Sequence, residues 1–308
     1  MFPQGQIYAD YQLLSSAFTG NFGEVYKALH IPTNKIVALK FTKHPHDQHW
    51  FKRFEAENKY LHDLSPHDNV IKAFSGVTHD GTHAYYTMEY LEQGLEAYLG
   101  TNPDTAKRLE VFKQICEGLK HAHSKEIYHR DLHAGNVRMD AETAKLVDFG
   151  LGKDGQTLSN SIGQLVWLGG VTTPEAFFYV ADSPTNEEYA QRDTYALGII
   201  LYTIFAASTV PYTVAMQNSM ITHIVGLNPN FRDYFNDYLN AFDETNRRAQ
   251  YRAWLAGLDP TMIDKLTVSV ADVNLGKKLS VIIKKACSAD YTQRYATVDD
   301  VIQATEGL

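Results

Sequence analysis

The sequence lacks a membrane span and a secretory leader and has little cysteine and few positive charges, and each narrows its class. No stretch of its 308 residues is apolar over the length of a membrane span, and the start Met1-Phe2-Pro3-Gln4-Gly5-Gln6 has neither the basic head nor the apolar core of a secretory leader. The expectation is a chain soluble as made, in a cytoplasm or delivered to a host cytosol without a signal peptide. Cysteine is nearly absent: Cys116 and Cys287 lie in stretches with amphipathic helical spacing and read as buried thiols rather than as a disulfide or a catalytic group. Positive charge is in deficit, 28 Lys and Arg against 36 Asp and Glu for a formal net charge of -8, so nucleic acid and membrane surfaces are not expected as partners.

What remains is an ordinary globular composition, 44% apolar, which suffices for one large core or two modest ones. Residues 8–40 alternate apolar and polar about glycines, as a β-hairpin does, and strands follow at about 70–78 and 83–90. Between them, residues 49–64 carry Trp50, Phe51, Phe54, Leu61 and Leu64 near helical spacing. Beyond Met88-Glu89-Tyr90-Leu91-Glu92-Gln93-Gly94 the period changes from two to nearly four, with helices expected at Leu95–Leu99 and Leu109–Lys125. The fold class expected is α+β, sheet-rich first and helical after.

The chemistry concentrates in His129-Arg130-Asp131-Leu132-His133-Ala134-Gly135-Asn136, followed at a short distance by Asp148-Phe149-Gly150. Asp131 can orient a hydroxyl nucleophile, while Asn136 and Asp148 are hard oxygen donors of the kind Mg²⁺ prefers. Upstream, Gly20-Asn21-Phe22-Gly23-Glu24-Val25 carries two glycines whose backbone can lie against phosphates because no Cβ stands in the way. Val37-Ala38-Leu39-Lys40 ends a strand on a lysine, and the helix after it bears Glu57 one turn before Leu61. Glu55 is offset by two residues, which turns it to roughly the opposite face.

These phrases, in this order, resemble the protein kinase family over about residues 10–306. The resemblance implies a bilobal fold forming one kinase domain, with an N-lobe at 1–90 and a C-lobe at 91–308. It implies ATP and Mg²⁺ as cofactors and a protein substrate, with serine or threonine preferred over tyrosine as the acceptor, although the loop motif alone leaves the hydroxyl type open. The catalytic set it implies is Asp131, Lys40, Glu57, Asn136 and Asp148, with Lys40 paired to Glu57 and the metal on Asn136 and Asp148. Gly20, Phe22, Gly23, Val25, Ala38, Lys40, Met88, Glu89, Leu91 and Arg138 would surround the nucleotide. In this assignment Met88 is the gatekeeper, and the carbonyl of Glu89 and the N–H and carbonyl of Leu91 face the adenine. His129, Phe149 and Leu61 fit the family's apolar spine. Glu175 would pair with Arg294, Asp193 would bind the catalytic-loop backbone, and Arg130 would meet a phosphorylated residue among Thr157, Ser159, Ser161, Thr172 and Thr173.

The chain departs from the family pattern in several places. Phe18 replaces the first glycine of the loop, and His133 stands where serine/threonine kinases carry lysine, with no arginine of the tyrosine-kinase kind between Leu132 and Asn136. Arg138 replaces the leucine beneath the adenine; its stem can cover the base while the guanidinium reaches outward to water. Thr172-Thr173-Pro174-Glu175 stands for the usual Ala-Pro-Glu. Phe18, His133 and Arg138 keep open a kinase-like scaffold of weak turnover, and the shared loop chemistry keeps open a small-molecule kinase or a transfer of AMP. Residues 207–280, with an aromatic amphipathic stretch at Phe231–Leu258, read as core or as a partner surface. His44, His46 and His49 lack the further ligands of a metal site and read as solvated.

Overall fold

The structure is a computed structural model and describes residues 2–15, 17–19, 23–43, 45–149, 173–181, 183–206, 211–228 and 234–308. It divides into two compact units, Met1–His129 with Gly135–Gly152, and Arg130–Ala134 with Lys153–Leu308.

The first unit is built on an antiparallel sheet. Strands β1 (Ile7–Tyr8), β2 (Tyr11–Leu13), β3 (Phe18–Thr19), β4 (Gly23–His30), β5 (Lys35–Thr42), β6 (Thr78–His79) and β7 (Ala84–Met88) join in the order β1-β2-β4-β5-β7-β6, with β3 also on β4. The alternation at 8–40 is thus a meander of five strands whose centre is the long β4–β5 hairpin, paired from Gly23 with Thr42 to His30 with Lys35. Its inward residues Tyr26, Ala28, Leu39 and Phe41 form a core with Leu13 and Tyr85, and Phe2 and Tyr8 pack their rings against Phe41. Gly23 is required by space: a Cβ there would stand 2.5 Å from the Phe41 carbonyl oxygen.

The 70–78 stretch is less regular than expected. Val70 and Ala73 form single bridges to Leu146 and Met88, and the Ser75 hydroxyl accepts from the Thr87 amide at 3.0 Å in place of a backbone partner. Helix α1 (Gln48–Leu64) buries Phe54, Glu57, Leu61 and Leu64 and leaves Glu55 exposed, as the phase of the helix requires.

Helices α2 (Leu95–Gly100) and α3 (Thr105–Ser124) also belong to this unit. α3 begins four residues earlier than its apolar phase suggests, because Asp104 caps it by accepting from the Lys107 amide at 2.9 Å while the first turn is polar. A second sheet runs β10-β9-β8, from β8 (Gln93–Gly94), β9 (Val137–Asp140) and β10 (Thr143–Leu146). The pairing of β8 with β9 and the packing of α3 on β10 hold residues 91–129 to this unit.

The second unit is helical in its described residues. Helix Asn186–Ala206 is buried from Tyr189 to Phe205, and at Gly198 a Cβ would stand 2.6 Å from the sulfur of Cys287, the residue that follows the packed helix Val273–Ala286. Of the 231–258 stretch, the described residues 234–258 hold two helices, Tyr234–Ala241 and Glu244–Ala256, parted by Asp243, which caps the second; 231–233 lie outside the described residues. Tyr238, Tyr251 and Trp254 are buried around the ring of Phe178, which is core packing. Both cysteines are free buried thiols, their pKa raised by burial. Among the described residues no helix is long and apolar enough to cross a membrane.

Candidate active site

A cavity of about 480 Å³ opens in the first unit. Its walls include Gly23 and Val25 of β4, Ala38 and Lys40 of β5, Glu57 of α1, Met88 at the end of β7, and Glu89 and Leu91 after it. Asn136, Arg138 of β9 and Asp148 complete the wall. Gly20 and Phe22 lie outside the described residues. Phe18 lines the rim but is 75% exposed, paired through β3 with Val25.

Lys40 is the electrostatic centre of this cavity. Its Nζ lies 2.5 Å from Glu57 Oε1 and 3.5 Å from Asp148 Oδ1, with the lysine side chain 5% exposed, the glutamate 3% and the aspartate 35%. Burial pulls the ammonium toward neutrality, but the carboxylates of Asp148 and Glu57 outweigh it and hold its pKa above the usual lysine range. One cation between two carboxylates leaves a net negative charge, and Asp148 is the more exposed of the two carboxylates on the cavity wall.

The donor set fits Mg²⁺, since a carboxylate and a carboxamide on one cavity wall are hard oxygen ligands. Asp148 has φ +64°, a conformation that costs a residue with a side chain about 1–3 kcal/mol and is typical of functional positions. The segment before it is fixed from both sides: the Val147 amide donates to the Asn136 carbonyl at 3.0 Å, and His129 Nε2 donates to the Val147 carbonyl at 3.0 Å. The His129 and Phe149 rings pack with centroids 4.7 Å apart, and Leu61 is fully buried. Gly150 lies outside the described residues.

Sequence reasoning missed Tyr86. Its hydroxyl donates to Glu57 Oε1 at 2.7 Å, the same oxygen that Lys40 holds. Burial, and then the charge of Glu57, raise its pKa far above the free phenol, so it stays a donor. All five residues of β7 are buried, so no alternation singled Tyr86 out. Tyr86→Phe is expected to lower the unfolding free energy by about 1.5–3 kcal/mol, the range for a hydrogen bond to a charged group. Urea denaturation checks this, and an unchanged midpoint would show that Lys40 alone suffices to hold Glu57.

Arg138 requires a correction. Its guanidinium does not reach outward to water: Nε and Nη2 donate to the Leu91 carbonyl at 3.1 and 2.7 Å, and Nη2 also donates to the Glu92 carbonyl at 2.6 Å. A half-buried guanidinium needs acceptors, and two backbone carbonyls in reach supply them. The carbonyl of Leu91, expected to face a base, is therefore engaged by the protein itself.

Asp131 and His133 belong to the second unit, on the loop Arg130–Ala134. Asp193 holds that loop by accepting from the Arg130 amide at 2.8 Å, and Arg130 has φ +64°. The Arg130 guanidinium lies 3.6 Å from the ring centroid of Tyr189, a cation–π stack. Of the phosphate acceptors considered for Arg130, Thr157, Ser159, Ser161 and Thr172 lie outside the described residues, and Thr173 is buried. Glu175 and Arg294 form a buried bidentate pair at 2.9 and 2.8 Å. Among the described residues no cluster of three or more His, Cys, Asp or Glu side chains could hold a metal; His44 lies outside them.

A family model described as the protein kinase domain matches residues 11–304. Over 197 residues the chain is 30% identical to "Calmodulin-binding receptor-like cytoplasmic kinase 3" of Arabidopsis thaliana, a match covering 60% of this chain and 37% of that protein. Over 199 residues it is 32% identical to "Tyrosine-protein kinase csk-1" of Caenorhabditis elegans, covering 63% of this chain and 35% of that one. The matches thus span little more than a third of either relative's length.

Proposed function

Because the chain belongs to the protein kinase family, we propose that it transfers the γ-phosphate of ATP, with Mg²⁺, to serine or threonine hydroxyls of a protein substrate. The observation that carries this reading is Lys40, a buried cation held between Glu57 and Asp148 on the wall of a cavity large enough for a nucleotide. Glu57 and Tyr86 fix where the ammonium points, so Lys40 meets phosphate oxygens without a reorganisation cost at the moment of reaction. The backbone at Gly23 gives phosphates close approach. Ala38 and Met88 flank the base, which is read by the Glu89 carbonyl and the Leu91 N–H.

Asn136 and Asp148 would hold Mg²⁺, which would supply neutralisation of phosphate charge. Asp131 accepts the hydrogen bond of the substrate hydroxyl and aligns its oxygen, and Asp193 keeps that loop in register through the Arg130 amide. Between Leu132 and Asn136 the loop carries neither the lysine of serine/threonine kinases nor the arginine of tyrosine kinases, so the type of acceptor hydroxyl is decided by phosphoamino-acid analysis. A reducing cytoplasm goes with this reading, as the two thiols are unpaired.

The test is transfer of labelled γ-phosphate to a protein acceptor, followed by mass spectrometry and phosphoamino-acid analysis. Phosphoserine or phosphothreonine is expected, with Asp131→Asn slower by about 10²- to 10⁴-fold and its nucleotide affinity unchanged. An AMP adduct would overturn the reaction class. An untouched acceptor from a wild-type chain that still binds nucleotide would overturn transfer itself and leave a scaffold.

A further inference from the structure

Where α1 ends, the chain turns through residues 65–69 and rests on α3, and two histidines make the contact. The rings of His67 and His121 stack with centroids 4.4 Å apart and planes 22° from parallel. Their partners fix where each ring carries its proton. The Asn69 amide donates to His67 Nδ1 at 3.1 Å, so that nitrogen keeps its lone pair and the ring proton sits on Nε2. His121 Nε2 lies 3.0 Å from the Leu64 carbonyl, which only accepts, so there the proton is on Nε2 as well. Asn69 is the residue that this arrangement holds. It is buried, its side-chain amide donates to the Ala144 carbonyl at 3.0 Å, and its own carbonyl accepts from the Leu146 amide at 2.9 Å. A Cβ at Gly118 of α3 would stand 2.5 Å from that same carbonyl oxygen. Asn69 thus joins the turn both to α3 and to β10, the strand that runs on through Val147 to Asp148.

We infer that the His67–His121 stack is an acid-sensitive latch, which holds Asn69 in place while His67 is neutral and releases the turn from α3 and β10 when that ring takes up a proton. The inference needs no nucleotide and stands apart from the proposed function. A proton on His67 turns Nδ1 from acceptor to donor, so that it meets the Asn69 N–H as donor against donor, and it lays a charge on the face of the His121 ring. Burial and His121 oppose that proton, while Asp68 beside it and Glu117 on α3 favour it; the first two prevail and hold His67 below its ordinary value of 6.5. Lys125, just past α3, stands at the edge of the same contact with Nζ 2.5 Å from the Asp63 carbonyl. A histidine that binds its proton less readily when folded stabilises the fold fully above its unfolded pKa and loses that contribution as pH falls through the folded one. Mild acid therefore loosens the strand ahead of Asp148 from behind the cavity.

The experiment is amide hydrogen exchange followed by NMR, expressed as protection relative to the unstructured chain, on wild type and on His67→Asn. Asparagine sets a carboxamide oxygen where Nδ1 stands, an acceptor for the same amide that takes no proton in this range. Between about pH 7.5 and about pH 5, protection at Asn69 and Leu146 is expected to fall about 5- to 100-fold in wild type and less than about 2-fold in His67→Asn. A fall of equal size in both proteins, or none in wild type, would overturn the inference. If His67→Asn fails to fold, His121→Phe decides, since it keeps a ring in the stack and removes the second imidazole. The titration of His67, followed through its ring proton shifts, should then move to higher pH than in wild type. A titration that stays in place or moves lower would overturn the coupling of the two rings and the latch with it.

Discussion

Removing one half of the Glu175–Arg294 pair is expected to lower the unfolding free energy by about 3–5 kcal/mol, because the survivor stays buried without its bidentate partner, Glu175 keeping only Arg192 Nε, at 4.0 Å, among the described cations. The side chains are 2% and 0% exposed, the contact is bidentate at 2.9 and 2.8 Å, and Arg294 Nε also donates to the Ser288 carbonyl at 2.8 Å. Arg294 lies over the ring of Tyr195 as well, which fixes its plane. Denaturant unfolding of Glu175→Gln and Arg294→Met checks this. Losses under about 1 kcal/mol would place the pair among those that contribute nothing measurable.

The same variant carries a pH signature. Burial alone would raise the Glu175 carboxyl, but the charge and hydrogen bonds of Arg294 prevail and hold it below its ordinary value of 4.5. A carboxyl that binds its proton less readily when folded stabilises the fold fully above the unfolded pKa, and that contribution is lost as pH falls through the folded one. The stability gap between wild type and Glu175→Gln should therefore be constant from neutral pH down to about 4.5 and narrow below it. A gap that stays constant into stronger acid would mean that charge plays no part.

The second large effect is expected at Lys40. Lys40→Met should reduce phosphoryl transfer at saturating ATP by about 10²- to 10³-fold, the range found when one preorganised electrostatic donor is removed. It should also destabilise the first unit, since Glu57 is then buried with a phenol and no cation. The two effects separate in a double-mutant cycle. Glu57→Gln added to Lys40→Met removes the stranded charge, so the pair should cost less stability than the sum of the singles, while transfer stays low. Additive stabilities, or transfer restored by the second substitution, would contradict the geometry at Glu57.

Much of this site is legible in the sequence, because the groups that meet in space are carried by short phrases at set spacings. Glu57 is separated from Glu55 by helical phase alone, and the structure buries the first and exposes the second. Asp193 and the Glu175–Arg294 pair follow from the order of motifs. Arg138 did not follow, because its orientation depends on carbonyls 46 and 47 positions away, which no local pattern encodes. Tyr86 was invisible for a related reason: β7 is covered on both faces, and a buried phenol among apolar neighbours gives no sign of the carboxylate that it serves. The early start of α3 rested on one capping aspartate ahead of a turn with no apolar phase.

The central claim is that Lys40, Asn136 and Asp148 serve one nucleotide and its metal. Calorimetric titration of a nonhydrolysable ATP analogue with and without Mg²⁺, on wild type and Asp148→Asn, tests it most directly. Binding that Mg²⁺ strengthens in wild type, with that strengthening lost in Asp148→Asn, is the result predicted. Binding indifferent to Mg²⁺, or a Mg²⁺ effect that survives in Asp148→Asn, would contradict it.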